Sequence, residues 1–286
     1  MINKQPIKTV LKSAATLLNN EEATLEAQLF LEHVLNVNRA WLITHQDDVL
    51  TDNQQGTYQA LLQRRLSGEP LAYILGKREF YGLDLAVTPD TLIPRPDTET
   101  LVEAALEKIS VIESCNILDL GTGTGAIALA IAKHRPQANV VAVDCSQGAL
   151  QIAQQNADNL GIANTSFTHS DWFSALKGQK FDVVVSNPPY IETSDPHLAA
   201  LAFEPISALT SGADGLDDIR KITQNALVYL KPQGWLMLEH GYNQAEKVQG
   251  LFAENGLTDI KSIKDLGGNN RVAIGKNPLI INTHWN

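Results

Sequence analysis

The stretch Phe181-Asp182-Val183-Val184-Val185-Ser186-Asn187-Pro188-Pro189-Tyr190 ends an apolar, valine-rich run in Asn-Pro-Pro-Tyr. The run predicts a buried strand. Neither proline can donate to a sheet ladder, so the strand stops there. Each proline also drives the residue before it into an extended conformation. Asn187 and Pro188 are thereby held nearly rigid at the carboxyl end of a strand, where open α/β sheets place their ligands. Methyl transfer to a planar nitrogen suits such a turn. The lone pair of an amide or aromatic amine is delocalised into its π system, so the nitrogen is a poor nucleophile. It carries two N–H donors. The Asn187 side-chain oxygen can accept one and the Pro188 carbonyl the other. Tyr190 offers an aromatic face to the flat group. No strong base is required, because orientation alone can supply roughly 7–11 kcal/mol of a barrier. By themselves these residues also fit a plain Asn-Pro turn closing a strand.

A second cluster lies upstream. Asp119 precedes Gly121-Thr122-Gly123-Thr124-Gly125 between a predicted strand, 116–120, and a predicted helix, 126–133. Glycine permits positive φ and lets the backbone approach a ligand closely. The loop fits the loose dinucleotide fingerprint, with Asp144 placed about 20 residues on for a ribose hydroxyl. It indicates an adenosine-containing cofactor without choosing NAD over S-adenosylmethionine. Two features make that choice. The Asp119 carboxylate favours a cationic ligand end and is unhelpful beside a pyrophosphate, and Asn-Pro-Pro-Tyr two strands later suits methyl rather than hydride transfer. At the next strand end, Asp171 can take the adenine amino group and Trp172 can pack on the ring. The bland alternatives are Asp144 as a carboxylate at a helix N-terminus and Trp172 as ordinary core. Cys145 reads as a small buried hydrophobe. No His/Cys/Asp spacing suggests a metal site, and no G-x-S-x-G elbow is present.

The elements that must hold these residues follow from periodicity. Residues 1–75 read as a small helical domain: Ile7 to Leu18, Leu25 to Leu35 and Tyr58 to Leu66 carry helical spacing, stopped by Gly68-Glu69-Pro70. It serves either as a cap or as a docking module for a macromolecular substrate. Residues 76–90 read as a hairpin linker, with Arg78–Tyr81 and Leu83–Val87 flanking Gly82. Residues 91–286 form the catalytic domain, entered through Leu92-Ile93-Pro94-Arg95-Pro96, with Asp97 or Thr98 as cap of the next helix. From residue 115 strands and helices alternate, which predicts a parallel sheet with helices on both faces.

The chain has 286 residues, a net charge of −10 and two cysteines. That length buries a large core without disulfides, and two cysteines suit a reducing compartment. No signal-peptide core or 18-residue apolar run appears, so a cytoplasmic protein is expected, away from membranes. The acidic balance argues against grip on a phosphate backbone and suits a cationic ligand or a basic protein partner.

The chain resembles the bacterial release-factor glutamine methyltransferases over nearly all of its length. The resemblance rests on Arg65 with Gly68-Glu69-Pro70, Tyr73 to Gly76, Glu79 to Gly82 and Leu92 to Glu99. It continues through Asp119 to Gly125, Asn187 to Tyr190, Phe203-Glu204-Pro205, Gly212 to Leu216 and Asp265 to Arg271. The family often has Glu where this chain has Asp97. The resemblance implies an α/β fold: a seven-stranded class I methyltransferase (Rossmann-like) sheet with a small all-helical N-terminal domain. It implies S-adenosylmethionine on Gly121–Gly125, Asp144 and Trp172, leaving S-adenosylhomocysteine. It also implies that the glutamine of a Gly-Gly-Gln loop in class-1 peptide chain release factors lies on Asn187, Pro188, Pro189 and Tyr190. A monomer without direct nucleic-acid binding is expected. Competing readings are a glutamine methyltransferase for a ribosomal protein, an adenine-N6 methyltransferase needing base flipping and a basic groove, an NAD-dependent oxidoreductase, and a non-catalytic cofactor-binding module.

Overall fold

Asparagines and short capping motifs set the ends of the first helices. A computed structural model describes residues 5–279, and the chain divides into two units after Lys77. The first unit holds α1 (Ile7–Leu18), α2 (Ala23–Leu35), α3 (Arg39–Thr44), α4 (Asp52–Leu66) and α5 (Leu71–Leu75). Asn19 and Asn36 end α1 and α2 in the left-handed conformation that asparagine tolerates. Thr51 and Gln54 form a capping box that starts α4. Phe30, Leu31 and Tyr58 are buried among these helices, and the Tyr58 hydroxyl donates to the Ala27 carbonyl at 3.1 Å. Arg65 closes the bundle with two 2.9 Å bonds to the buried Glu26 carboxylate. The short helices α3 and α5 were not legible from spacing, because fewer than two turns give no periodicity to read.

A hairpin starts at the boundary and, from Arg78 on, belongs to the second unit: β1 (Lys77–Phe80) and β2 (Leu83–Ala86). Its two turn residues, Tyr81 and Gly82, both have positive φ (49° and 74°), the conformation that matches the strand twist. Two carboxylates hold the turn: Glu99 Oε1 accepts the Tyr81 amide at 3.0 Å, and Glu79 Oε1 accepts the Gly82 amide at 2.7 Å. Phe80, Leu83 and Leu85 sink into the core of this unit.

Then follow α6 (Glu99–Lys108), β3 (Asn116–Leu120), α7 (Ala126–His134), β4 (Asn139–Asp144), α8 (Gln147–Leu160) and β5 (Thr165–His169). After them come β6 (Phe181–Ser186), α9 (Asp217–Tyr229), β7 (Leu230–Glu239), α10 (Ala245–Glu254), β8 (Thr258–Lys264) and β9 (Asn270–Lys276). Seven strands form one sheet in the order β5-β4-β3-β6-β7-β9-β8. One core lies under α6 and α7 and a second on the opposite face against α9 and α10. Alternation predicts a parallel sheet, and five of the seven strands pair in parallel. The sheet as a whole is mixed, because β9 runs antiparallel to both β7 and β8. The turn over residues 265–269 is too short for a crossover, so β9 must reverse direction after β8.

The order reverses beside β3, which pairs with β4 on one side and β6 on the other. The glycine loop after β3 and the Asn-Pro-Pro-Tyr turn after β6 are therefore neighbours at a topological switch point, where such sheets bind ligands. This is the class I methyltransferase sheet.

Candidate active site

The loop after β3 is shaped by what lies behind it. Gly121, Gly123 and Gly125 all have positive φ, at 72°, 55° and 82°. A Cβ on Gly121 would lie 3.5 Å from the Trp172 ring, whereas one on Gly123 would meet nothing within 4 Å. The loop thus packs on the indole at one point and leaves bare backbone facing a cavity at the next. Gly125 lies against Leu129 and Ala153, so its role is packing at the start of α7. Asn156, which spacing gave no reason to single out, ties this region together. Its side chain donates to the Thr124 carbonyl at 2.9 Å and bonds both backbone groups of Ala86.

Asp144 stands at the end of β4. Its Oδ2 accepts the Gly123 amide at 2.9 Å and its Oδ1 the Ser146 amide at 2.8 Å. Burial raises its pKa, and the backbone amides of Ser146, Gly123 and Cys145 oppose that. Asp144, Gly121, Gly123, Asp171, Trp172 and Asn187 share the wall of one cavity of about 310 Å³. Trp172 is half-buried and holds a left-handed φ of 48°, with its carbonyl accepting from Ser170 Oγ at 2.7 Å. Asp171 is exposed at the mouth. Cys145 was read as a buried hydrophobe but is exposed on the same wall. It follows the last strand residue, where the chain has already left the sheet.

Asp119 does not line this cavity. It is fully buried behind the loop, where the Thr122 hydroxyl donates to its Oδ2 at 2.7 Å. Burial pushes its pKa up to about 7, against the Thr122 hydroxyl and the Ala128 amide. A carboxyl raised above its unfolded value makes the folded state bind more protons, so stability falls as pH rises through that range. The thermal midpoint is expected to decline between about pH 4 and pH 7, with Asp119→Asn making the decline shallower. Melting curves of both proteins across that range check this.

The turn after β6 is held from several sides. Asn187 donates from Nδ2 to Thr98 Oγ1 at 3.2 Å. Among the described residues no donor reaches its Oδ1 or the Pro188 carbonyl, and Asn187 lines both the large cavity and an adjoining one of about 50 Å³. Thr98, Arg95, Thr122 and Thr124 line that smaller cavity. Pro189 lines the large one, whereas Pro188 is buried. Tyr190 lines neither; it is half-buried, and its hydroxyl donates to Glu239 Oε1 at 3.2 Å. The Tyr190 carbonyl accepts from Gln244 Nε2 at 3.0 Å.

Thr98 was expected as a possible helix cap, yet its side chain makes no capping bond. The Pro96–Thr98 turn is already helical, so Thr98 has αR geometry and its hydroxyl turns to Asn187 instead. The segment before it is pinned by buried Glu204, which pairs with Arg95 and accepts the Ile93 amide at 3.1 Å. Thr98, Glu204, Glu239 and Gln244 were not singled out as site residues. Glu204 lay within the motifs carrying the resemblance, but spacing gave it no role.

Gly215 backs the turn most closely. Its φ is 72°, and a Cβ there would stand 2.2 Å from the Tyr190 carbonyl oxygen. Gly215→Ala is expected to cost roughly 1–3 kcal/mol from backbone strain alone and to lower turnover by displacing Asn187. Thermal unfolding and a methyl-transfer assay on the same variant check both parts.

Among the described residues no three metal-ligating side chains gather, and no helix is long and apolar enough to cross a membrane.

The arrangement has counterparts. Residues 9–76 match the model of the PrmC N-terminal domain, and residues 113–271 match that of a methyltransferase domain. A methyltransferase structure from Pyrococcus furiosus shares the fold, with a TM-score of 0.55 at 18% identity, covering 80% of this chain and 100% of that one. The release factor glutamine methyltransferase of Salmonella typhimurium is 48% identical over 262 residues, 91% of this chain and 94% of that one. The Escherichia coli enzyme of the same name is 46% identical over 259 residues, 90% and 93% of the two chains. Likeness of that extent covers both units and the turns that meet at the cavity, and the chain belongs to the release factor glutamine methyltransferase family.

Proposed function

We propose that this enzyme transfers a methyl group from S-adenosylmethionine to the side-chain amide nitrogen of the Gly-Gly-Gln glutamine in class-1 peptide chain release factors. The observation that carries the reading is Asn187: a strand-end amide whose oxygen has no protein partner and whose residue lines both cavities. The fit of the donor rests on three features of the large cavity. Gly123 leaves open backbone, the Trp172 ring packs on Gly121, and the Asp144 carboxylate has lone pairs beyond its two amide bonds for ribose hydroxyls. S-adenosylmethionine would supply an electrophilic methyl group there.

The chain's own residues supply the rest by position. Asn187 Oδ1 accepts one N–H of the glutamine amide and the Pro188 carbonyl accepts the other. Together they turn the amide so that its lone pair is no longer committed to the carbonyl. The Tyr190 hydroxyl, tied to Glu239, holds the turn in place. Asp171 and Trp172 border the adenosine end, and Thr122 and Thr124 the smaller cavity. Asp119 acts through Thr122, behind the loop. Two glycines before the glutamine carry no side chains, so that loop can enter a narrow site.

A net charge of −10 is poorly built for the many phosphate contacts of a DNA substrate. Both cysteines are free, which suits the cytoplasm, and the enzyme acts as a monomer. Residues 1–75 serve as a docking module, so a short Gly-Gly-Gln peptide is expected to show a higher KM than the whole factor. Equal KM values for the two would remove the docking role. The function itself is tested with methyl-labelled S-adenosylmethionine and three substrates: a release factor, its Gln→Ala loop variant, and duplex DNA. Label on the wild-type factor alone supports the reading, and label on DNA or equally on the loop variant refutes it.

A further inference from the structure

Glu239 ends β7, beside the turn that follows β6, and is 1% exposed. Leu236, Met237 and Leu238 before it are wholly buried apolar residues, so this carboxylate closes the dry end of the strand. Its Oε1 accepts the Tyr190 hydroxyl at 3.2 Å, and its Oε2 is buried without a hydrogen-bond partner. The Thr98 hydroxyl is near enough to this carboxyl to oppose the rise in its pKa, while Oε2 makes no hydrogen bond. Catalytic hydrogen bonds are often long before ligands bind and tighten in the complex.

The direction of donation along this chain follows from proton counting. Thr98 Oγ1 accepts the Asn187 Nδ2–H at 3.2 Å. A hydroxyl has a single proton, which is then free to point at Glu239. An ionised carboxylate only accepts, so Thr98 and Tyr190 both donate toward it. One orientation of the Asn187 amide satisfies this order: Nδ2 toward Thr98 and Oδ1 toward the cavities. The flipped amide would set its oxygen against Thr98 and present N–H groups to the N–H groups of the substrate.

We infer that Glu239 and Thr98 are positioning residues that fix the Asn187 amide with its oxygen toward the acceptor nitrogen. This rests on the reading of Asn187 as the residue that holds that nitrogen. Burial raises Glu239 to a pKa of about 7, opposed by the Thr98 and Tyr190 hydroxyls and by Arg271, and aided by Asp97. Arg271 is itself shared between Asp97 and Asp265, at 3.0 and 3.1 Å. Protonation would give the carboxyl a donor of its own, which competes with the Asn187 amide for the Thr98 oxygen, so kcat rises with pH through that value.

The test compares the full-length wild type, Thr98→Val, Thr98→Ser and Glu239→Gln on an intact release factor. Thr98→Val keeps the shape and removes the hydroxyl; it is expected to lower kcat about 10-fold or more while the S-adenosylmethionine dissociation constant stays within about twofold. Thr98→Ser, which retains the hydroxyl, recovers most of that loss. Glu239→Gln flattens the acid limb of kcat near pH 7. Wild-type kcat in Thr98→Val overturns the inference, as does a loss confined to donor affinity or melting temperature. Should Thr98→Val fail to fold, an unchanged acid limb in Glu239→Gln overturns it as well. A wild-type enzyme that leaves the release factor unlabelled is a different failure, that of the functional reading, and the inference falls with it.

Discussion

Asn187→Ala is expected to lower kcat and kcat/KM on a release factor together, by about 10²–10³-fold, the cost of removing one preorganised group that acts on the reacting atoms. The amide oxygen of Asn187 has no partner within the described protein, and the Pro188 carbonyl alone would remain to accept from the substrate. S-adenosylmethionine affinity should stay within a few-fold, because the Asp144, Gly123 and Trp172 wall is untouched. Calorimetry beside steady-state kinetics separates the two effects. An equal loss of donor affinity and turnover would show that Asn187 belongs to the cofactor site instead. The fold should survive, since the lost Thr98 bond is one of several contacts holding the turn; Gln244, Gly215 and Glu239 still hold Tyr190.

Asp144→Ala should divide the effects the other way. Each hydrogen bond to a charged group contributes about 1.5–3 kcal/mol. Losing the ribose bonds, together with the anchors to Gly123 and Ser146, is expected to weaken donor binding at least about 10–100-fold. Saturating S-adenosylmethionine should restore much of kcat, because Asn187 keeps its place. The readout is a donor titration: a rise in the KM for S-adenosylmethionine with kcat largely retained supports the division. A collapse of kcat at saturation would place Asp144 in the transfer step. Asp144→Asn is the milder comparison, since the amide can still accept one backbone N–H while its other arm donates.

Local chemistry determined much of this protein. A valine run cut by two prolines is a buried strand with a rigid end in any context, and β6 ends at Ser186, directly before Asn187. Three glycines between a strand and a helix make a loop that exposes its backbone, and all three take positive φ. Strand–helix alternation gave the α/β class, because such units bury their apolar faces only by layering. These readings needed information from a few adjacent residues.

The tertiary structure decided what each polar residue faces. Asp144 ends its strand and Asp119 stands one residue before the end of its own, yet Asp119 is sealed behind the loop and Asp144 lines the cavity. Strand direction and sheet order make that difference, and neither is written beside the residues. The Tyr190 ring reads from the sequence as a face for the substrate; only folding shows that its hydroxyl is tied to a glutamate 49 positions later. Thr98 looked like a helix cap by its spacing, and its hydroxyl serves a turn 89 residues away. Glu239 gave no signal at all, because a carboxylate after an apolar strand reads as a solvated end. Only the pairing of β6 with β7 brings it under the Asn-Pro-Pro-Tyr turn. The antiparallel β9 was equally invisible, since a strand's direction is set by the length of the turn before it and the neighbour it joins, not by its own residues.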